Sequence, residues 1–191
     1  MFSENGWRQS QVNIGKTFEK DFVKCVPEHV GVIRIPDPAQ SFTKCTSLRF
    51  TRKNPYDFIL WNPKTYTLYA LELKTVKGKS ISFERTKEEN GEIHLYQIEG
   101  LKKISDVGNC VCGFVIEFRE LAKTIFLNID DFLKLQETIN KKSFNISDLE
   151  ANNIPYTIIE QRLLKTHSRY DVGQFLIDTA IEIKLGDKHE V

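Results

Sequence analysis

Two strand-like segments separated by a short turn constrain the fold of this chain more than any other feature. The segments are Tyr56–Trp61 and Tyr66–Lys74, and Asn62-Pro63-Lys64 between them has the residue types of a tight turn. We therefore expect a β-hairpin. Because side chains alternate between the two faces of a strand, Glu72 and Lys74 should project together, away from the apolar residues at 69, 71 and 73.

The rest of the chain alternates between helical and strand patterns. Apolar residues at four-residue spacing predict a helix over Asn13–Val26, with one buried stripe formed by Ile14, Phe18, Phe22 and Val26. Further elements are expected in this order: a strand over Val30–Ile35, a helix over His94–Val107, strands over Cys110–Phe118 and Lys123–Ile129, a helix over Phe132–Lys141 capped by Asp130 or Asp131, and a helix over Val172–Lys184. This order predicts an α/β fold in which helices flank a mixed central β-sheet.

The length of 191 residues fits a single domain that spans residues 1–191. Pro36-Asp37-Pro38 stops a strand, and the polar, basic residues that follow predict a short protruding stalk or loop over Pro36–Asn54. We expect residues 142–191 to form a C-terminal helical region.

The composition excludes several classes of protein. Hydrophobic residues make up 40% of the chain, which is enough for a sizeable core. The first ten residues are polar and the apolar runs are only strand-sized, so we expect a soluble intracellular protein without a secretory signal or a membrane segment. The four cysteines lack zinc-ribbon spacing, and Cys110 and Cys112 are expected to be small core residues on one strand face.

The net charge is +1, so a nucleic-acid-binding role requires local segregation of charge. Basic residues do cluster on both sides of the hairpin. They are Lys44, Arg49, Arg52 and Lys53 before Asp57, and Lys77 and Lys79 after Glu72. Runs of this kind are also common on ordinary solvated surfaces, and this alternative stays open.

Asp57 and the Glu72-Leu73-Lys74 motif offer the groups needed for phosphodiester hydrolysis. Two carboxylates can hold Mg²⁺ or Mn²⁺, which polarises the phosphate and acidifies a water molecule. A lysine beside them can orient or deprotonate the attacking water, or stabilise developing negative charge. The pattern alone also fits an ordinary surface ion pair. A second copy, Glu182-Ile183-Lys184, lies in a predicted helix, where residues two apart diverge.

The spacing from Asp57 to Glu72-Leu73-Lys74 resembles the signature of PD-(D/E)xK nucleases. Further segments resemble one branch of that superfamily, the RecU-type Holliday junction resolvases, and in particular short phage-type versions. These segments are Asn13-Ile14-Gly15-Lys16-Thr17-Phe18-Glu19, Asn54-Pro55-Tyr56-Asp57-Phe58, Leu71-Glu72-Leu73-Lys74, Ser80-Ile81-Ser82-Phe83, His94-Leu95-Tyr96-Gln97-Ile98 and Gly113-Phe114-Val115-Ile116.

The resemblance implies a restriction-endonuclease-like core in a bacterial cytoplasmic protein, with Mg²⁺ or Mn²⁺ as cofactor and no small-molecule cofactor. It implies Asp57 and Glu72 as metal ligands, Lys74 as the catalytic lysine and Glu19 as a first-helix acid that binds metal or its waters. The family acts as a homodimer on four-way DNA junctions and cuts two strands symmetrically. Two-fold symmetry suits such a substrate.

The predicted DNA contacts combine this resemblance with the basic clusters. They are Gln97, Lys16, Arg49, Arg52, Lys53, Lys77 and Lys79. Tyr56 separates Pro55 from Asp57, and the protrusion is shorter than the family's stalk, so the chain departs from the family pattern in both features.

Non-functional roles remain open for two of these residues, because Glu19 can pair with a neighbouring lysine and Gln97 can be an ordinary surface residue. Two other functions also remain open: a nuclease that acts on linear or damaged duplex DNA, and a catalytically silent DNA-binding module.

Overall fold

The computed structural model describes residues 13–36, 53–108, 110–165 and 167–186. The elements are α1 (Ile14–Val23), β1 (Gly31–Arg34), β2 (Phe58–Asn62), β3 (Thr67–Val76), β4 (Ser80–Ser82), α2 (Leu95–Ser105), β5 (Cys110–Phe118), a single 3₁₀ turn (Arg119–Leu121), β6 (Lys123–Asn128), α3 (Ile129–Thr138), β7 (Ser143–Asn145), α4 (Ile146–Ala151), β8 (Thr157–Ile159), β9 (Gln161–Leu163), β10 (Ser168–Tyr170) and α5 (Val172–Gly186). No helix in these ranges is both long and apolar enough to cross a membrane.

The central sheet has six strands in the order β1-β2-β3-β5-β6-β8. The pairs β1–β2, β2–β3, β5–β6 and β6–β8 are antiparallel, and β3 pairs with β5 in parallel through the α2 crossover. The sheet is therefore mixed, which confirms the predicted fold class. The predicted hairpin is also confirmed, with Phe58 opposite Leu71 in the β2–β3 register.

Alternation along β3 separates the two cores of the molecule. Tyr69, Leu71 and Leu73 pack on one face, with Phe22 of α1 and Phe175 of α5 in the same buried cluster. The Tyr69 hydroxyl donates to the carbonyl oxygen of Leu176 at 2.9 Å and so ties this strand to α5.

The opposite face of the sheet packs against α2 and α3. Its buried cluster includes Ala70 of β3, Leu101 of α2, Phe114 of β5 and Phe132 of α3. Glu72 has the same strand parity as Ala70, so it lies on the α2 side, as the alternation predicts.

Three sequence predictions require correction. The N-cap of α3 is Asn128, whose side chain accepts from the Asp130 backbone N–H at 2.9 Å. The helix therefore begins at Ile129, before either predicted cap. Ile14 was expected in the buried stripe of α1 but is 45% exposed, because the helix begins at this residue.

The third correction concerns residues 142–191, which were expected to be helical. The described part of this region contains four strands as well as α4 and α5. β8 completes the central sheet beside β6, β7 pairs with β4, and β9 pairs with β10. Each of these strands has only three residues, too few for the alternation of side chains to reveal them in the sequence.

The hairpin of β1 and β2 continues beyond its ladder toward the predicted protrusion. The Ile35 N–H donates to the Asp57 carbonyl oxygen at 2.8 Å, and Asn54 Nδ2 donates to the Pro36 carbonyl oxygen at 2.6 Å. Residues 37–52, which make up most of the predicted stalk or loop, lie outside the described residues.

Gly113 in β5 provides a test of the packing between sheet and side chains. A Cβ at this position would overlap the Leu127 carbonyl oxygen and lie 2.8 Å from Phe126 Cε2. We expect Gly113→Ala to lower the free energy of unfolding by roughly 1–3 kcal/mol through overpacking, measured by urea denaturation. Gly173→Ala is the control, because its Cβ would make only ordinary contacts at 3.7 Å. An unchanged stability of Gly113→Ala would contradict this packing.

Candidate active site

Asp57 directly precedes β2, and at this point the neighbouring strand β3 continues past the first residue of β2 and carries Glu72. The β2 ladder stops at Phe58, which leaves the Leu73 N–H of β3 without a strand partner on that side. Asp57 Oδ2 accepts this N–H at 2.9 Å, while the Asp57 N–H donates to the Leu71 carbonyl oxygen at 3.0 Å. The Asp57 carboxylate therefore replaces a backbone acceptor and is held beside Glu72.

Glu72 is almost completely buried, with 4% of its surface exposed. Its Oε1 accepts a hydrogen bond from Gln97 Nε2 and lies 3.1 Å from Lys74 Nζ. Burial, together with the charges of Asp57 and Glu19, raises the pKa of Glu72 to about 8 against the opposing effect of the Lys74 ammonium. The site thus holds a carboxyl group whose ionised form is poorly stabilised.

Asp57 shares this electrostatic environment. Burial raises its pKa, the hydrogen bond from the Leu73 N–H lowers it, and the Glu19 carboxylate raises it again. Lys74 and Arg34 act in the opposite direction. These couplings place all three predicted carboxylates within electrostatic reach of one another.

Glu19 belongs to this neighbourhood but is bound by Arg34 of β1. Arg34 donates to Glu19 Oε2 through Nε at 3.2 Å and through Nη2 at 3.0 Å. Within the described residues, no group of three or more acidic, histidine or cysteine side chains is close enough to hold a metal ion. The structure therefore brings Asp57, Glu72 and Lys74 together, and leaves Glu19 beside them in an ion pair.

A cavity of about 300 Å³ opens on Asp57 and Glu72. It is lined by Ile35, Lys53, Asn54, Tyr56, Asp57, Glu72, Tyr96 and Gln97. At its mouth, Lys53 Nζ lies 5.0 Å from the centre of the Tyr96 ring. The Tyr96 ring in turn stacks on His94, with the ring centres 5.4 Å apart and the planes inclined by 16°.

Gln97 is buried, so the interpretation of this residue as an ordinary surface residue is wrong. Its Nε2 donates to Glu72 and its Oε1 accepts from the His94 backbone N–H at 3.0 Å. Both ends of the amide are thus occupied, one by the Glu72 carboxylate and one by the backbone at the start of α2. A direct contact between Gln97 and DNA stays a prediction.

The start of α2 is itself fixed by Glu84. Glu84 Oε2 accepts from the Leu95 N–H at 2.8 Å, and Oε1 lies 2.7 Å from His94 Nδ1. Gly100 in the next turn sets how closely α2 approaches the site, because a Cβ there would overlap Pro55 Cβ and lie 2.8 Å from its Cγ. The segment that leads to Asp57 therefore rests directly on α2.

The remaining predicted DNA contacts are spread around this centre. Lys16 is exposed on α1, Lys53 lies at the cavity mouth, and Lys77 is exposed at the end of β3. Lys79 is exposed and pairs with Glu120 at 3.3 Å. Arg49 and Arg52 lie outside the described residues. Their roles in DNA binding stay predictions.

Three residues at or beside the site were not predicted from the sequence: Asn54 and Tyr96, which line the cavity, and Arg34, which binds Glu19. Tyr96 and Asn54 stand within segments that were recognised, next to Gln97 and Pro55, so adjacency was an available signal. Arg34 had no such signal, because its position depends on the β1–β2 register, which places it opposite Phe58.

The comparisons with known proteins find a similar solved structure but no matching family. No family model matches the chain, and no curated protein matches it. Among solved structures, the chain is similar to Hjc of Archaeoglobus fulgidus, described as a Holliday junction resolvase from an archaeal hyperthermophile. The sequence identity is 14% and the TM-score is 0.44, over 71% of this chain and 91% of that one.

The raised pKa of Glu72 predicts how stability depends on pH. The folded protein keeps the Glu72 proton up to about pH 8, whereas the ordinary pKa is 4.5. The folded state binds more protons in this interval, so the contribution of Glu72 to stability falls as pH rises from 4.5 to about 8. Glu72→Gln removes this loss. We expect the free energy of unfolding of the variant, relative to that of the wild type, to rise by roughly 2–4 kcal/mol between about pH 5 and pH 8.5.

The measurement is urea denaturation in EDTA at both pH values. Glu137→Gln, an exposed glutamate of α3, is the matched control and should show no such gain. A difference between Glu72→Gln and wild type that is the same at both pH values would contradict the burial of an unstabilised carboxyl group.

Proposed function

We propose that this chain is a divalent-metal-dependent DNA endonuclease that resolves four-way junctions by paired symmetric nicks. The observation that carries the proposal is that Asp57 and Glu72 line one cavity, while Lys74 Nζ lies 3.1 Å from Glu72 Oε1. Two carboxylates in a common cavity, with a lysine paired to one of them, form an arrangement suited to metal-assisted phosphodiester hydrolysis. The choice of substrate rests on the resemblance to RecU-type resolvases.

The donor set fits Mg²⁺ or Mn²⁺. Asp57 and Glu72 present carboxylate oxygens, the ligand type that these ions prefer, to the same cavity. Burial disfavours the ionised form of Glu72, and a cation in the cavity would stabilise that form. Asp57 and Glu72 would hold the ion, and Glu19 is proposed as a third acid. When bound, such an ion neutralises phosphate charge and acidifies a water molecule.

The chain's own residues supply the other requirements. The Lys74 ammonium can donate a hydrogen bond to the attacking water or to the phosphate oxygens. Gln97 fixes the direction of the Glu72 carboxylate through its own anchoring to the start of α2. Lys53, held over the Tyr96 ring at the cavity mouth, is suited to contact the DNA backbone.

The assembly follows from the substrate that we propose. Resolution of a four-way junction needs two nicks related by two-fold symmetry, and each subunit of a homodimer supplies one active site. Action as a homodimer in a bacterial or phage-infected cell is therefore part of the proposal, and it rests on the same resemblance.

The chemical prediction concerns the two carboxylates. Asp57→Asn and Glu72→Gln should each slow cleavage of a synthetic four-way junction in Mg²⁺ by roughly 10²–10⁴-fold, because each removes a group that acts in the transition state. Binding of the junction should persist. The measurement is single-turnover cleavage with the nicks mapped on all four strands, and Glu137→Gln is the control for loss of a negative charge.

Full activity in either site variant would contradict the site assignment. Competition between the junction and a linear duplex at fixed salt tests the substrate separately, because backbone binding alone does not discriminate between them. Equal cleavage of both substrates would favour a duplex nuclease. Absence of metal binding by the wild type in calorimetry would favour a DNA-binding module without catalysis.

The role of Gln97 can be tested through metal affinity. Gln97→Leu keeps much of the side-chain volume but removes the hydrogen bond to Glu72, so we expect metal affinity to fall roughly 10–100-fold. Calorimetric titration with Mn²⁺ measures this, and thermal unfolding in EDTA reports separately on the fold. Unchanged metal affinity would show that Gln97 does not position Glu72.

A further inference from the structure

A basic groove runs between α1 and β1, on the α1 side of the sheet. This α1 groove has a volume of about 650 Å³ and is lined by Lys16, Glu19, Lys20, Val23, Lys24, Val32, Arg34 and Phe58. It thus collects four cationic side chains and one carboxylate, in a chain whose overall net charge is only +1. This is the segregation of charge that a nucleic-acid-binding protein of neutral composition needs.

The cations of the α1 groove are arranged in a row along the helix. Lys16, Lys20 and Lys24 follow at four-residue spacing, so they project from one side of α1 at intervals of about 6 Å. All three are exposed. Lys24 Nζ is 3.8 Å from Asp21 Oδ1, and within the described residues neither Lys16 nor Lys20 forms an ion pair. Val23, Val32 and Phe58 contribute apolar surface to the lining.

Two residues that line the α1 groove, Glu19 and Arg34, lie within electrostatic reach of Asp57. Arg34 lies opposite Phe58 in the β1–β2 register, and Phe58 directly follows Asp57. Glu19, which lines the groove, is bound by Arg34 and raises the pKa of Asp57. A phosphate backbone that lies in the groove and passes Glu19 and Arg34 would come within electrostatic reach of Asp57.

We propose that the α1 groove binds the phosphate backbone of the DNA strand on one side of the scissile bond, with Lys20 and Lys24 as its phosphate contacts. This inference rests on the proposed nuclease function and adds the path of the strand. Asp57, Glu72 and Glu19 repel a phosphodiester, so cations beside them are needed to bring it close. Lysine is a strongly hydrated point charge, which suits contact with phosphates rather than with base edges.

The test compares two double variants that lose the same charge. Lys20→Ala/Lys24→Ala removes the groove cations. Lys64→Ala/Lys134→Ala removes two exposed lysines elsewhere: Lys64 lies in the β2–β3 turn, at the opposite end of the hairpin from Asp57, and Lys134 lies on α3. Binding of a fluorescent four-way junction is measured by anisotropy in EDTA, between about 50 and 200 mM salt.

We expect the groove variant to bind more weakly and to lose roughly 1.8 units from the slope of log K against log salt, about 0.9 for each phosphate contact. The control variant should keep the wild-type slope, and thermal unfolding should show both doubles folded, since all four lysines are exposed. An unchanged slope in the groove variant overturns the proposal, and so does an equal loss in both doubles or absence of DNA binding by the wild type.

The same experiment separates this inference from the nuclease proposal. If the slope falls only in the groove variant but the wild type cuts no DNA in Mg²⁺ or Mn²⁺, the groove stands and the nuclease function fails. If the wild type cuts the junction and the groove variant binds as the wild type does, the nuclease function stands and the groove fails.

Discussion

The site depends on the point, just before Phe58, where the ladder between β2 and β3 begins and β3 continues alone. A strand that continues past its neighbour leaves backbone groups to be satisfied, and here the Asp57 carboxylate accepts the Leu73 N–H. This single hydrogen bond completes the sheet edge and places an acid beside Glu72. The segment before β2, β3 and the start of α2 together line the cavity, so the side chain that completes the backbone hydrogen bonding also faces the cavity.

The acids of the site are only partly neutralised by the groups around them. Glu72 is buried at a free-energy cost, and the Lys74 ammonium and the Gln97 amide offset only part of it. Arg34 likewise balances Glu19 without removing its influence on Asp57. A cluster of acids that is incompletely neutralised by its own protein is unfavourable for folding, but it is well suited to attract a cation.

The sequence was informative where long, regular patterns decide the structure. The alternation in β3 predicted which face carries Glu72, and the apolar spacing predicted α1, α2 and α5. It was uninformative where tertiary pairing decides. β8 has only three residues and joins the sheet by pairing with β6. The N-cap of α3 is Asn128 and not one of the two aspartates that follow it. Arg34 contacts Glu19 because of the register between β1 and β2. Gln97 was recognised by resemblance, but its burial against Glu72 required the packing of α2.

The close contact between Gly100 and Pro55 places a joint constraint on two positions that are far apart in the sequence. Any side chain at position 100 would occupy the volume that the proline ring fills, so neither residue is free to change alone. Among homologues, we therefore expect the two positions to covary: a larger residue on α2 should be accompanied by a smaller one two positions before Asp57. The spacing of this pair would then identify chains in which α2 approaches the cavity in the same way, even where Asp57, Glu72 and Lys74 are replaced.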